Sequence, residues 1–204
     1  MDTIEDIGTI RGLYGEPSER AVKKQLPRLE KHSRAFIALS PFLVIASADA
    51  SGRVDASPKG DAPGFVRVLD DETLLIPDRL GNNRVDTIGN LLSRPGVGLL
   101  FFVPGLRETL RVNGTAQITT DPALLEPSAV NGRPPRSGIL VTVDEVYFHC
   151  GKAIIRSDLW NPDKRVKLAD FPPLGRIIAE QIGDGRSLDE AERQTEEGYR
   201  TRLY

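Results

Sequence analysis

The sequence predicts a mainly β protein: an antiparallel β-barrel with flanking helices at both ends. Three observations predict it. Short apolar runs at 42–48, 53–57, 64–69, 73–77, 97–103, 109–119 and 139–149 are separated by turn formers such as "DASG" (49–52), "LDDE" (69–72) and "VPG" (103–105). The run "TLRVNGTAQI" (109–118) alternates strictly, with Leu110, Val112, Gly114, Ala116 and Ile118 on one face and Thr109, Arg111, Asn113, Thr115 and Gln117 on the other. Few helical segments interrupt the runs, so the β–α alternation of a doubly wound sheet is missing.

Taken in order, residues 1–33 read as helical, with cap signals at "DTIE" (2–5) and at Ser18, and with Pro27 splitting the second helix. The β texture begins at Phe36. Between the strands at 73–77 and 97–103, "RVDTIGNLL" (84–92) has helical apolar spacing, with Val85, Ile88, Leu91 and Leu92 on the buried side. Asn82 or Asn83 can cap it, and Asp86 falls in its first turn. Residues 120–137 are proline-rich and irregular, with one short helical turn. "LGRIIAEQIG" (174–183) is a helix with a glycine stop, and "SLDE" (187–190) opens a polar helix running to about Tyr199. The expectation is one domain over 1–204, with N-terminal helices to about 35 and C-terminal helices from about 172 to 200.

Composition narrows the function classes. The 204 residues are 39% hydrophobic and 27% charged, with a net charge of −2. A nucleic-acid-binding surface would carry a basic excess, so none is expected. One cysteine, Cys150, and two histidines, His32 and His149, are too few ligands for a closed His/Cys zinc site, and no metal is expected. No apolar run is long enough to span a membrane, and the acidic opening "MDTIEDIGTIRG" lacks a signal-peptide layout, which points to a cytoplasmic protein.

The most informative stretches are "DASPKGDAPGFV" (55–66) and "IPDRLGNNR" (76–84). They place Lys59, Arg79 and Arg84 among glycines, prolines, Asp61, Asp78, Asn82 and Asn83. Ser57, Lys59 and Asp61 share strand parity, so they can face one ligand. Gly60 and Gly64 allow close backbone approach. The second stretch runs into a helix start, whose free N–H groups and positive dipole end suit a phosphate, with arginine as its geometric match. Each stretch also has a plain structural reading: a solvated hairpin loop for the first, a well-capped helix for the second. Arg111, on the polar strand face, is equally a surface ion-pair partner or a ligand contact. In "VYFHCGKAIIRSDLW" (146–160), adjacent His149 and Cys150 point to opposite faces, so Cys150 reads as a small core residue rather than a nucleophile. Trp160 with Lys152 and Arg156 reads either as an aromatic, cationic pocket or as packing at a barrel end.

Four pieces in this order, "SPKGDAPGFV", "LLIPDRLGNNRVDTIGNLLSRPGVGLLFFVPG", "ETLRVNGTAQI" and "FHCGKAIIRSDLW", resemble the pyridoxamine 5′-phosphate oxidase-like FMN-binding proteins, most closely their bacterial FMN-dependent PPOX-class subgroup. The resemblance covers about residues 30–165. It implies a split β-barrel homodimer with FMN in a groove between subunits. It further implies that Lys59 and Arg84 hold the FMN phosphate with Asn82 and Asn83, and that Ser57, Gly60 and Asp61 belong to the same wall. Pro77, Asp78 and Arg79 would pass the isoalloxazine or ribityl portion. Arg111 would contact the cofactor, in one version from the neighbouring subunit, and Lys152, Arg156 and Trp160 would lie on the substrate side. Ser57 stands where pyridoxamine phosphate oxidases place a phosphate-binding arginine, and "GYRTRLY" (198–204) lacks their substrate-recognition arginine and histidine, so pyridoxamine 5′-phosphate is not the expected substrate.

The resulting expectation is an FMN-dependent oxidoreductase acting on a small-molecule substrate, with no catalytic side chain assigned. The alternatives are a non-catalytic flavin-binding protein and a haem or tetrapyrrole binder on the same fold, with His149 as axial ligand.

Overall fold

Seven strands pair antiparallel throughout in the order β2-β1-β5-β6-β7-β4-β3. The structure is a computed structural model and describes residues 3–183 and 185–204. The elements run α1 (Ile7–Tyr14), α2 (Glu19–Lys23), α3 (Lys31–Leu39), β1 (Phe42–Ala48), β2 (Val54–Gly60), β3 (Arg67–Val68), β4 (Thr73–Pro77), α4 (Asp86–Ser93), β5 (Gly96–Phe102), β6 (Thr109–Thr119), α5 (Pro122–Leu125), β7 (Gly138–His149), α6 (Lys152–Ser157), α7 (Leu174–Ile182) and α8 (Leu188–Thr201). The fold is mainly β with flanking helices, as the sequence predicts, and each expected strand is present.

The core is the apolar parity of these strands. Leu43 and Ile45, Val97 to Phe101 at alternate positions, Leu110 and Val112, and Ile139 to Val143 at alternate positions are all buried. α3 lies across them with Phe36 and Ile37. Each such side chain contributes about 1.5–3 kcal/mol on burial. β2 has no buried residue, which is why Pro58 is tolerated in it: an edge strand does not need that N–H.

Along β7 the inward parity changes. Asn113 pairs with Glu145 but Gly114 pairs with Val143, leaving Asp144 as an extra residue. Val141 and Val143 face the core before this bulge and Val146 after it. Beyond Thr142 the other edge of β7 is no longer held by β4, and Leu26 takes it over, exchanging two backbone hydrogen bonds with Val146 (3.0 and 2.8 Å).

The N-terminal helices differ from the expectation. Asp2, part of the expected cap at 2–5, lies outside the described residues; the observed cap of α1 is Asp6, whose carboxylate accepts from the Thr9 N–H. Ser18 does cap α2. The break around Pro27 is real, but helix resumes at Lys31 and continues to Leu39, past the expected limit, because Ser33, Phe36 and Ile37 form a buried i, i+3, i+4 stripe and Glu30 and Ser33 close a capping box. Cys150 is exposed rather than in the core, since β7 ends at His149 and Cys150 enters the following turn. Among the described residues no helix is long and apolar enough to cross a membrane, and no His/Cys/Asp/Glu group could hold a metal ion.

Strands from opposite sides of the sheet approach each other. β2 and β4 are five places apart in the strand order, yet Lys59 Nζ lies 3.6 Å from an Asp78 oxygen, and Asp61 just after β2 pairs with Arg79 just after β4. The sheet therefore curls until residues from its two ends meet, and the candidate site lies at that meeting.

Candidate functional site

A cleft of about 580 Å³ opens where β2, the 78–88 segment and the 130–137 segment converge. Its size is that of a small-molecule or cofactor site. Ser57, Lys59, Asp78, Arg79, Asn82, Asn83 and Arg84, all expected from sequence, line it together. The structure thus brings the two informative stretches into one wall.

α4 is set against this wall by two side-chain hydrogen bonds. Buried Thr87 donates from Oγ1 to Ser57 Oγ (3.1 Å), tying α4 to β2, and Asn90 Nδ2 donates to Ser47 Oγ (3.0 Å), tying it to β1. The start of α4 then faces the cleft through Val85, Asp86, Thr87 and Ile88. The expected asparagine cap does not form. Val85 occupies the cap position in the left-handed region (φ 52°) and no side chain caps the helix. Asn82 instead accepts from the Arg84 N–H at 3.1 Å, and Asn83 also has positive φ (59°). The first-turn N–H groups are left without a side-chain acceptor, the condition under which a helix start receives an anion. The buried stripe of α4 is likewise narrower than expected: Thr87 and Leu91 are buried, while Val85 and Leu92 are exposed, because the left-handed turn at Val85 swings that residue out toward the cleft mouth.

Three cations of the cleft already face carboxylates. Lys59 faces Asp78 at 3.6 Å, with both side chains about one quarter exposed. Arg84 Nε donates to Asp86 (2.8 Å) near the surface, where the Arg84 side chain is 71% exposed. Arg79 Nε donates to Asp61 Oδ2 (2.6 Å) and Arg79 Nη1 to the Ser128 carbonyl (2.8 Å). The Asp61 side chain is only 4% exposed. Burial opposes its ionisation, but hydrogen bonds from the Tyr204 hydroxyl, the Ala62 N–H and Arg79, with the Arg79 charge, together hold its carboxyl below the usual 3.8. A depressed carboxyl stabilises the fold above its ordinary value and loses that contribution as pH falls through the folded value. Asp61→Asn is therefore expected to cost about 1.5–3 kcal/mol at neutral pH, with the deficit against the wild type shrinking in acid. Denaturant titrations from neutral pH to below 3.8 check this.

Other expected site residues stand elsewhere. Gly60 lies beside the Phe42 ring and does not line the cleft, and Gly64 (φ 81°) turns the chain close under the Ala38 carbonyl, so the conformational freedom of Gly64 serves packing on α3. Pro77 is buried in β4, paired with Gly138, behind the cleft wall. Arg111 does not join the cleft. It lies on the polar face of β6, its guanidinium 5.2 Å from the Tyr147 ring centroid, with Lys24 5.1 Å from the same ring and Tyr147 5.0 Å from His149. Asn113 donates to Glu145 (2.5 Å) in the same group, and Gln25 also donates to Glu145. His149 Nε2 is buried without a partner among the described residues, and burial plus the charges of Arg111 and Lys24 push its pKa down. Lys152 and Arg156 are exposed on α6, outside the cleft. Trp160 is half-buried and its indole N–H donates to the Leu106 carbonyl (2.7 Å) in the β5–β6 turn, so it packs at the end of the sheet.

Sequence reasoning missed Arg133, Arg136, Ser137 and Tyr204, which also line the cleft. The signal for the first three was present: "RPPR" (133–136) fixes two arginines on stiff backbone, and the Asp78 N–H donates to the Ser137 carbonyl (3.0 Å), pinning that segment to the wall. Tyr204 had no such signal, being 143 positions from the Asp61 that it contacts.

The family profile described as pyridoxamine 5′-phosphate oxidase matches residues 29–150. No curated protein matches the chain in sequence. Among solved structures, a variant of HupZ from Group A Streptococcus is 18% identical, with 59% of this chain and 98% of that chain covered and a TM-score of 0.50. A pyridoxamine 5′-phosphate oxidase-related, FMN binding protein from Nostoc punctiforme is 15% identical, with 57% and 78% covered and a TM-score of 0.41.

Proposed function

The chain belongs to the pyridoxamine 5′-phosphate oxidase family, and on that premise we propose that it is an FMN-dependent oxidoreductase whose substrate is not pyridoxamine 5′-phosphate. The observation that carries the cofactor assignment is the uncapped start of α4 facing a cleft beside Lys59 and Arg84. N–H donors without acceptors and two cations form a donor set suited to a phosphate monoester.

The residues divide the work. Lys59, Arg84 and the first turn of α4 bind the phosphate, and Asn82 and Asn83 shape the loop that presents them. An incoming phosphate competes with Asp86 for Arg84, so that arginine contributes less than its charge alone suggests. Arg79, fixed by Asp61 and Ser128, offers a positioned positive charge to the remainder of the ligand. When bound, the flavin supplies the redox chemistry, while the protein orients it and sets its electrostatic surroundings. We further propose a homodimer with the cofactor between subunits. This arrangement would let Arg111, Lys152, Arg156 and Trp160, which lie outside the cleft of their own chain, serve a site shared with a second copy.

Purified protein is expected to show a flavin absorbance spectrum, as isolated or after incubation with FMN, and to exchange electrons with a reduced nicotinamide or deazaflavin. Binding without any turnover would place it among non-catalytic flavin carriers. No flavin spectrum after incubation would overturn the assignment. A second reading rests on His149, whose unpartnered ring nitrogen and depressed pKa are properties of an axial haem ligand. It predicts a Soret band that is lost in His149→Ala.

A further inference from the structure

We propose that Tyr204 is a ligand-positioning residue of the cleft and governs how long a flavin nucleotide stays bound. The proposal rests on the FMN reading above and adds a residue outside the matched family segment, which ends at residue 150.

The segment after α8 is what brings Tyr204 to the site. α8 ends at Thr201, and Arg202 leaves helical geometry (φ −127°, ψ 30°). Tyr204 then reaches the cleft wall that holds Lys59, Arg79 and Arg84. Its hydroxyl donates to Asp61 Oδ1 at 2.8 Å, while Asp61 Oδ2 accepts from Arg79 at 2.6 Å. The Arg79 guanidinium lies 5.9 Å from the centroid of the Tyr204 ring, within cation–π range. The phenol is therefore held at its tip by a buried carboxylate and across its face by a cation, and that cation is itself fixed to the Ser128 carbonyl. The hydrogen bond to Asp61 raises the phenol's pKa above its ordinary value, so it stays a donor across the neutral range.

The helices behind this contact have little else to do with the sheet. α7 and α8 pack chiefly on each other, so closely that a Cβ on Gly175 would stand 2.4 Å from the Ala191 carbonyl oxygen. Among the described residues no side-chain hydrogen bond joins either helix to a strand, whereas Tyr204 makes one to Asp61 just after β2. A tie from this distant segment to the cleft wall closes one side of the cleft with an aromatic ring. A ligand seated against Lys59 and Arg84 would pack against that ring, and its release on that side is eased when the Tyr204–Asp61 bond opens.

The test is the FMN dissociation rate, followed by recovery of flavin fluorescence, in wild type, Tyr204→Phe and Tyr204→Ala. Loss of a hydrogen bond to a charged acceptor predicts release about tenfold faster in Tyr204→Phe, and faster again in Tyr204→Ala. Affinity for inorganic phosphate, which needs only Lys59, Arg84 and the start of α4, is expected to stay unchanged in both variants. Equal FMN release rates in wild type and Tyr204→Ala would overturn the proposal. A parallel loss of phosphate affinity would also overturn it, since Tyr204 would then act by supporting the whole site. Failure of wild type to bind FMN at all would instead overturn the cofactor reading, which separates the two.

Discussion

Replacing Lys59 and Arg84 together by alanine is expected to weaken FMN binding by well over tenfold, while affinity for riboflavin, which lacks the phosphate, barely changes. Each charge-assisted hydrogen bond is worth about 1.5–3 kcal/mol, and a factor of ten corresponds to about 1.4 kcal/mol. The two residues are not equal. Lys59 is about one quarter exposed, so little water screens it. Arg84 is largely exposed and shared with Asp86, which places it at the low end of that range. Lys59→Ala alone is therefore expected to cost more than Arg84→Ala alone. The fold should survive, because β2 is an edge strand with no buried residue and Lys59 leaves behind only a partly exposed Asp78. Fluorescence titrations with FMN and riboflavin decide it. Unchanged FMN affinity in the double variant would move the phosphate elsewhere in the cleft, where Arg133 and Arg136 also offer positive charge.

Gly114→Ala is expected to lower stability by about 3 kcal/mol, the upper end of overpacking costs, and the thermal midpoint by about 6–12 °C for a chain of this size. The added Cβ would lie 2.0 Å from the Thr142 carbonyl oxygen and 3.0 Å from its carbon. Both are backbone atoms, so no rotamer change relieves the clash. The site is the β6–β7 bulge, where Gly114 pairs with Val143 and the longest ladder of the sheet changes register. Gly96→Ala is the control: a Cβ there meets nothing within 4 Å, and little change is expected. Thermal unfolding followed by circular dichroism compares the two. Equal midpoints would mean that the bulge relaxes at no cost.

The strands were legible because their signal is local. Alternation at 109–118 needs only neighbouring residues to fix which face is buried, and the observed pattern of β6 follows it. The glycine stop at Gly183 (φ 62°) is local in the same sense, requiring only that the residue after α7 take a left-handed turn. The bulge was not legible. "VTVDEVYF" (141–148) reads as one strand either way, and only pairing against Gly114 expels Asp144 from register and reverses the inward face beyond it. The same holds for the start of α4. Asn82 and Asn83 are good cap residues in isolation, but a left-handed Val85 takes the cap position and leaves the helix N–H groups without a side-chain acceptor.

The sequence by itself determined the β-rich, helix-flanked architecture, the family resemblance and the two basic stretches, since periodicity, turn chemistry and motif order are properties of consecutive residues. Tertiary structure alone decided that Lys59 and Arg84 share one cleft, that Arg111 and Trp160 lie outside it, and that Tyr204 lines it. Those placements depend on how far the sheet curls and where distant segments return. Both depend on the bulge, on the ends of β2 and β4 meeting through Lys59–Asp78 and Asp61–Arg79, and on the hydrogen bond that ties Tyr204 to Asp61.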